Sequence, residues 1–276
     1  MSITAADVNK LRTLTGAGMM DCKKALTETN GDFEAAVDFL RKKGQKVSAS
    51  RSDRENKEGA VIAATTPDGK VGVIISLNCE TDFVAKNDDF VSFAKKIAEK
   101  ALQHQPSETD ALKGLTIDGA TIADLLMEQV GRIGEKIDVN RYEILRGDNV
   151  VAYIHGSNRM GVLVSMNQPA AEPVNAAGRD AAMQIAAMNP VALDKGDVDA
   201  TTLQRELEIG KEQARAEGKP EEMLEKIAQG KLNRFYKDST LLNQDFVKDG
   251  SKTVAQMLES VSKGLTVTAF KRVALG

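Results

Sequence analysis

Apolar residues recur along this chain at two spacings, one helical and one of strands, and the switches between them mark its organisation. The first 44 residues predict three short helices. Thr4 and Asp7 stand in capping-box spacing at the head of a stripe formed by Ala5, Val8, Leu11 and Leu14. Gly16-Ala17-Gly18 predicts a turn, and Met19, Met20, Cys22, Ala25 and Leu26 a second helix ending at Asn30-Gly31. Asp32 is placed to cap a third, with Phe33, Ala36, Val37 and Leu40 on one stripe and Gly44 as its stop. Residues 45–57 are polar, charged and without apolar period, which predicts a linker.

From Gly59 the period is that of strands. Residues 60–65, the turn Pro67-Asp68-Gly69 and residues 71–78 form a predicted hairpin. Asp88 is positioned to cap a helix carrying Phe90, Phe93, Ala94, Ile97, Ala98 and Ala101. A further helix is predicted over 121–133 and a strand over 141–145. The pattern then repeats. Strand residues 150–155, the turn Gly156-Ser157-Asn158 and residues 160–167 precede a helix over 179–188 that stops at Asn189-Pro190.

The repetition extends to residue identities. Gly72-Val73-Ile74-Ile75-Ser76-Leu77-Asn78 has a near-copy in Gly161-Val162-Leu163-Val164-Ser165-Met166-Asn167. After the first copy the chain reads Cys79-Glu80-Thr81-Asp82-Phe83-Val84-Ala85-Lys86-Asn87-Asp88. After the second it reads Gln168-Pro169-Ala170-Ala171-Glu172, with no acidic-aromatic pair. A repeated scaffold whose copies differ at one loop points to that loop as the seat of function.

Between Asp199 and Asp238 the texture becomes that of two charged antiparallel helices with a narrow apolar seam. Leu203, Leu207 and Ala214 line the first helix, and Met223, Leu224, Ile227, Leu232 and Phe235 the second, with Gly218-Lys219-Pro220 between them. A helix opening near Ser251-Lys252-Thr253-Val254 and a closing strand over 267–273 complete the chain. The expected class is α+β. Residues 1–45 are a three-helix docking module, 46–58 a linker and 59–145 a first core subdomain. Residues 146–190 with 239–276 make a second core subdomain, and 191–238 an inserted helical arm.

Composition narrows the function. A net charge of −3 on a chain with 37 basic and 40 acidic residues makes no strong claim on nucleic acid. No run approaches the length of a membrane helix and no leader opens the chain, so a cytoplasmic protein is expected. Two cysteines, Cys22 and Cys79, fit free thiols in a reducing compartment, Cys79 as an inert core residue. His104 and His155 are the only histidines, and neither metal-ligand spacing nor a phosphate loop is present. No cofactor, bound metal or catalytic chemistry is expected, and a binding or regulatory role is favoured.

Two segments carry a family resemblance. Thr15-Gly16-Ala17-Gly18-Met19-Met20-Asp21-Cys22-Lys23-Lys24-Ala25-Leu26 and Asn78-Cys79-Glu80-Thr81-Asp82-Phe83-Val84-Ala85-Lys86 closely resemble the two signatures of bacterial elongation factor Ts. The likeness covers nearly the whole chain. It implies an N-terminal module similar in fold to ubiquitin-associated domains, a duplicated core and an inserted helical hairpin. It also implies release of GDP from elongation factor Tu, so that GTP can rebind during translation elongation. By position, Thr81, Asp82, Phe83 and Val84 would intrude near the magnesium and phosphate site of the GTPase, with Phe83 as the wedge. Asp82 would make polar contacts that rearrange the segments around the metal. Arg12, Met19 and Met20 match the family's contact surface for the nucleotide domain, and His155-Gly156 residues that reach another domain of Tu. Well-known members run on into a further helical segment that also touches Tu. This chain stops at Ala274-Leu275-Gly276, so that contact is expected to be missing or replaced.

On pattern alone other roles fit the same residues. Phe83 suits a hydrophobic staple under the following helix, although Phe90 and Phe93 already supply its aromatic packing. Asp82 suits a plain N-cap, His155 an ordinary turn residue, and Met19-Met20 a bundle core. Adjacent helical residues cannot both face one way, however, and an exposed Met beside a Gly-rich turn suits an adaptable interface. Alongside exchange stands a second reading, a non-exchanging adaptor or chaperone-like escort of elongation factor Tu.

Overall fold

The computed structural model describes residues 3–276. Three helices open the chain: α1 (Ala5–Thr15), α2 (Met19–Glu28) and α3 (Phe33–Ser50). Thr4 caps α1 in a reciprocal box with Asp7, and Asp32 caps α3 through the Ala35 amide. Val8, Leu11, Ala17, Cys22, Ala25, Leu26 and Ala36 form the small core of this bundle. Leu14, which the helical spacing places on the inner stripe, is exposed.

The hairpin β1 (Glu58–Thr65) and β2 (Val71–Cys79) follows, then a single turn α4 (Asp82–Ala85) and the long helix α5 (Asp88–His104). Asn87, not Asp88, caps α5, accepting from the amides of Asp89 and Phe90. Short elements come next: α6 (Thr109–Lys113), β3 (Thr116–Ile117) and β4 (Ala120–Thr121), before α7 (Ile122–Ile133) and β5 (Asp138–Arg146). The first sheet has the strand order β1-β2-β5.

The helix expected to stop at Gly44 runs on to Ser50, and residues 46–50 of the expected linker are therefore helical. The reason is packing against α7. A Cβ at Gly44 would lie 2.8 Å from the Met127 carbonyl oxygen, and one at Gly131 3.0 Å from the Gly44 Cα. Gly44 is the point of closest helix approach rather than a terminator, and burial there outweighs glycine's weak helix propensity.

The second copy begins with β6 (Asn149–His155) and β7 (Met160–Met166), antiparallel from Asn149 opposite Met166 to His155 opposite Met160. Helix α8 (Glu172–Met188) starts seven residues before the expected Arg179. Its first turns are built from Val174, Ala177 and Gly178, small residues that bury well but carry a faint apolar signal. The arm is α9 (Ala200–Ala216) and α10 (Glu221–Ser239). Its seam is Gly210, Ala214, Leu224, Ala228 and Leu232, whereas Met223 is exposed. The small pair β8 (Asp245–Phe246) and β9 (Asp249–Thr253), not expected from the sequence, leads into α11 (Val254–Val261) and β10 (Val267–Ala274). The second sheet has the order β10-β7-β6.

The fold is α+β, with an N-terminal helical region followed by hairpin sheets. The chain divides into two compact units. One comprises 1–62, 75–143 and 274–276, the other 63–74 and 144–273. The core of the second unit is Val162, Val164 and Met166 of β7 against Ala181, Ala182 and Ile185 of α8, closed by Val254 and Leu258 of α11. Among the described residues no helix is long and apolar enough to cross a membrane.

Candidate functional site

Strand β2 ends in a buried cysteine, and none of the next ten residues is buried. Cys79 donates its thiol to the Thr81 carbonyl at 3.2 Å. Burial, with the nearby Glu135 charge, pushes that thiol up to about 12, so it is no nucleophile at neutral pH. The structure thus places Cys79 as an inert core residue.

Beyond Cys79 two carboxylates take hold of the chain. Glu135, immediately after α7, accepts from the amides of Glu80 and Thr81 at 3.0 Å each and from the Thr81 hydroxyl at 2.6 Å. Glu80 accepts in return from the Lys136 amide at 2.6 Å and from Arg51 at 2.8 and 2.9 Å. Burial raises the Glu80 carboxyl, but the Lys136 amide and Arg51 outweigh it and the net pKa falls below the ordinary value. The Lys136 ammonium donates onward to the carbonyls of Ser52 and Arg54. The segment expected as a linker is therefore tied through Arg51 to the loop after β2 and through Ser52 and Arg54 to Lys136.

Thr81, rather than Asp82, is the N-cap of α4, its hydroxyl oxygen accepting from the Val84 amide at 3.5 Å. Asp82 instead pairs with Lys86 at 2.6 Å across one turn, and that hydrogen bond holds its carboxyl below the usual range. Phe83, between them, is 84% exposed. The staple reading of Phe83 is excluded by that exposure, whereas Phe90 is the buried aromatic of α5.

Met19 and Met20, at the start of α2, are both exposed, 53% and 74%, and Arg12 on α1 is exposed as well. They share a compact unit with Thr81, Asp82, Phe83 and Val84. His155 and Gly156 belong to the other unit, at the β6–β7 turn, where Gly156 has φ +61°. The exposed His155 ring meets the Tyr153 hydroxyl through Nδ1 at 2.9 Å. Sequence reasoning missed Glu135, Arg51 and Lys136, which lie tens of residues from the loop they hold and match no local motif. Among the described residues no cluster of three His, Cys, Asp or Glu side chains is arranged to hold a metal ion.

Comparison with known proteins bears on the same loop. A family model described as elongation factor TS matches residues 80–276, beginning at the first clamped residue. The chain is 56% identical to the elongation factor Ts of Cytophaga hutchinsonii, with 99% of each chain covered. Against that of Flavobacterium psychrophilum the identity is 54%, over 100% of this chain and 99% of the relative. Against that of Porphyromonas gingivalis it is 46%, with the same coverage. A match of this breadth, taking in the N-terminal helices and both hairpins, shows that the chain belongs to the elongation factor Ts family.

Proposed function

We propose that this chain is a guanine-nucleotide exchange factor that docks on elongation factor Tu and displaces its Mg²⁺ and GDP with Thr81, Asp82, Phe83 and Val84. Family membership supports the coarser part, a role in translation elongation. The observation that carries the finer part is Phe83, an aromatic ring 84% exposed on a four-residue helix with no buried residue of its own. Leaving a large apolar side chain in water gives up the stabilisation that burial supplies, about 1.5–3 kcal/mol. An exposed ring on a hydrogen-bonded mount is a surface prepared for a partner. Its position is set before binding, so little ordering entropy is lost on contact.

A GTPase holds its nucleotide through Mg²⁺, a phosphate-cradling loop and that loop's Lys. An exchange factor must prefer the empty form, and by linkage the nucleotide then weakens its binding equally. Moving a mostly loaded population to a mostly empty one takes about 5.5 kcal/mol of differential binding. Burial of Phe83 supplies about 1.5–3 kcal/mol of it. The rest is assigned to loss of the partner's metal at the intruded site and to docking. Arg12, Met19 and Met20 dock from one unit, and His155 and Gly156 from the other. No covalent step occurs, so this chain acts by binding and not as an enzyme in the usual sense.

The test is stopped-flow release of a fluorescent GDP from elongation factor Tu. Substoichiometric amounts of this protein are expected to accelerate release. Tight binding without acceleration would establish the non-exchanging escort instead.

A further inference from the structure

We infer that Glu135 is a positioning residue for the exchange step, holding the backbone at Glu80 and Thr81 so that Phe83 stands clear of the surface. The inference rests on the exchange reading above. Its starting point is that α4 cannot hold itself. A single helical turn carries the unfavourable cost of nucleation with almost none of the gain of propagation. Side-chain burial does not compensate, because none of Asp82, Phe83, Val84 and Ala85 is buried. Support must come from the residues just before it, and there Glu135 meets the chain three times. One carboxylate oxygen takes the successive amides of Glu80 and Thr81, and the other takes the Thr81 hydroxyl proton.

The third of these bonds matters most for the ring. With its proton given to Glu135, the Thr81 oxygen turns its lone pairs toward the Val84 amide and caps the turn that carries Phe83. Glu135 is itself fixed. It follows Gly134, the left-handed cap of α7 with φ +81°, and Lys136 behind it is gripped by Glu80. Each segment thus offers a carboxylate to the other's backbone. Charge-assisted bonds of this kind are about twice as strong as neutral ones. The effect of the arrangement is to set where one exposed ring points.

The test pairs amide hydrogen exchange at Glu80 and Thr81 with fluorescent GDP release from elongation factor Tu, on full-length variants. Glu135→Ala is expected to speed amide exchange at both positions and to slow release about 10-fold or more. Glu135→Gln keeps a carbonyl oxygen for the two amides but puts an NH2 donor where the Thr81 hydroxyl needs an acceptor. It is expected to retain part of the amide protection and to recover only part of the rate. A merely structural role is separated by working in a Phe83→Ala background. There Glu135→Ala is expected to slow release no further, while the shift in Tm that it causes persists. Equal slowing in both backgrounds, or unchanged amide protection, overturns the inference. If Glu135→Ala does not fold, Thr81→Val removes the hydroxyl bond to Glu135 together with the Val84 cap that it orients, and release at the wild-type rate then overturns it. The two failures stay distinct. If the wild-type protein does not accelerate release, the exchange reading falls; if Phe83→Ala exchanges like wild type, Phe83 leaves the mechanism and the positioning role goes with it. A slow Phe83→Ala beside a normal Glu135→Ala removes only the positioning role.

Discussion

The two copies of the hairpin share a buried strand and part company one residue later. In β2, Ser76 and Asn78 are buried, and the Asn78 amide reaches the Asn56 carbonyl at 3.0 Å. In β7 the matching Ser165 is also buried, while Asn167, just past the end of the strand and exposed, bonds Gly264 and Thr266. The first copy then enters the Glu80–Glu135 clamp and displays Phe83. The second passes through Gln168, tied to the Lys263 carbonyl at 3.0 Å, and runs straight into α8. The helices differ in compensation. Helix α5 buries Phe90, whereas α8 buries Gly178, where an added Cβ would lie 2.7 Å from a Val151 methyl. A scaffold kept twice by burial leaves its connectors free to diverge, and here one connector became a mount and the other stayed a joint.

Three interventions would break or sharpen that contrast. The largest effect is expected from Phe83→Ala, which makes the first connector as featureless as the second. Exchange should slow about 30- to 1000-fold, the kinetic equivalent of a roughly 2–4 kcal/mol hot spot. Tm should hardly move, because the ring is 84% exposed. Fluorescent GDP release beside thermal denaturation checks both halves, and a normal release rate would take Phe83 out of the mechanism. Next is Gly178→Val, aimed at the shared scaffold. Crowding Val151 should cost about 1–3 kcal/mol and lower Tm by several degrees. The folded fraction should still exchange nucleotide, so a lost exchange rate at full folding would mean that α8 does more than support the second hairpin.

The smallest effect concerns pH. The folded-state pKa of Glu80 lies below its ordinary value of 4.5. Its contribution to stability is therefore present above that value and disappears as pH falls through the folded one. The gap in Tm between wild type and Glu80→Gln should be steady near neutral pH and close as the pH falls below 4.5 and through the folded-state pKa. In the second connector, Glu172 pairs with Arg179 at the surface, and Glu172→Gln should open no such gap. A gap for Glu80→Gln that survives acid would mean that its charged form is not what holds Lys136 and Arg51.

Much of this was legible from residue order. Phe83 stands among charges while Phe90 and Phe93 keep helical spacing with Ala94 and Ile97, so the odd aromatic could be picked out, and Met19 and Met20 proved exposed together. Other features follow contacts that no local pattern encodes. Glu135 finds Thr81 across 54 residues, and Arg51 finds Glu80 across 29. Glycine misled in one place for a clear reason. Gly44 reads as a helix end by conformational freedom, but its lack of a side chain is used for a close crossing instead. The early turns of α8 hid because Ala and Gly bury without raising the apolar signal.

The seam between Gly44 and Gly131 also bears on how truncations of the N-terminal region behave. Cutting the chain at residue 50 removes the proposed contact residues of α1 and α2, and with them the cover that α3 gives one face of α7. Met127 and Gly131 would then meet water, and the remaining protein would lose cohesion as well as a foothold on its partner. A truncated protein that binds poorly would thus have two faults from one cut. Point changes at Arg12 and Met20, which leave the seam closed, isolate the foothold.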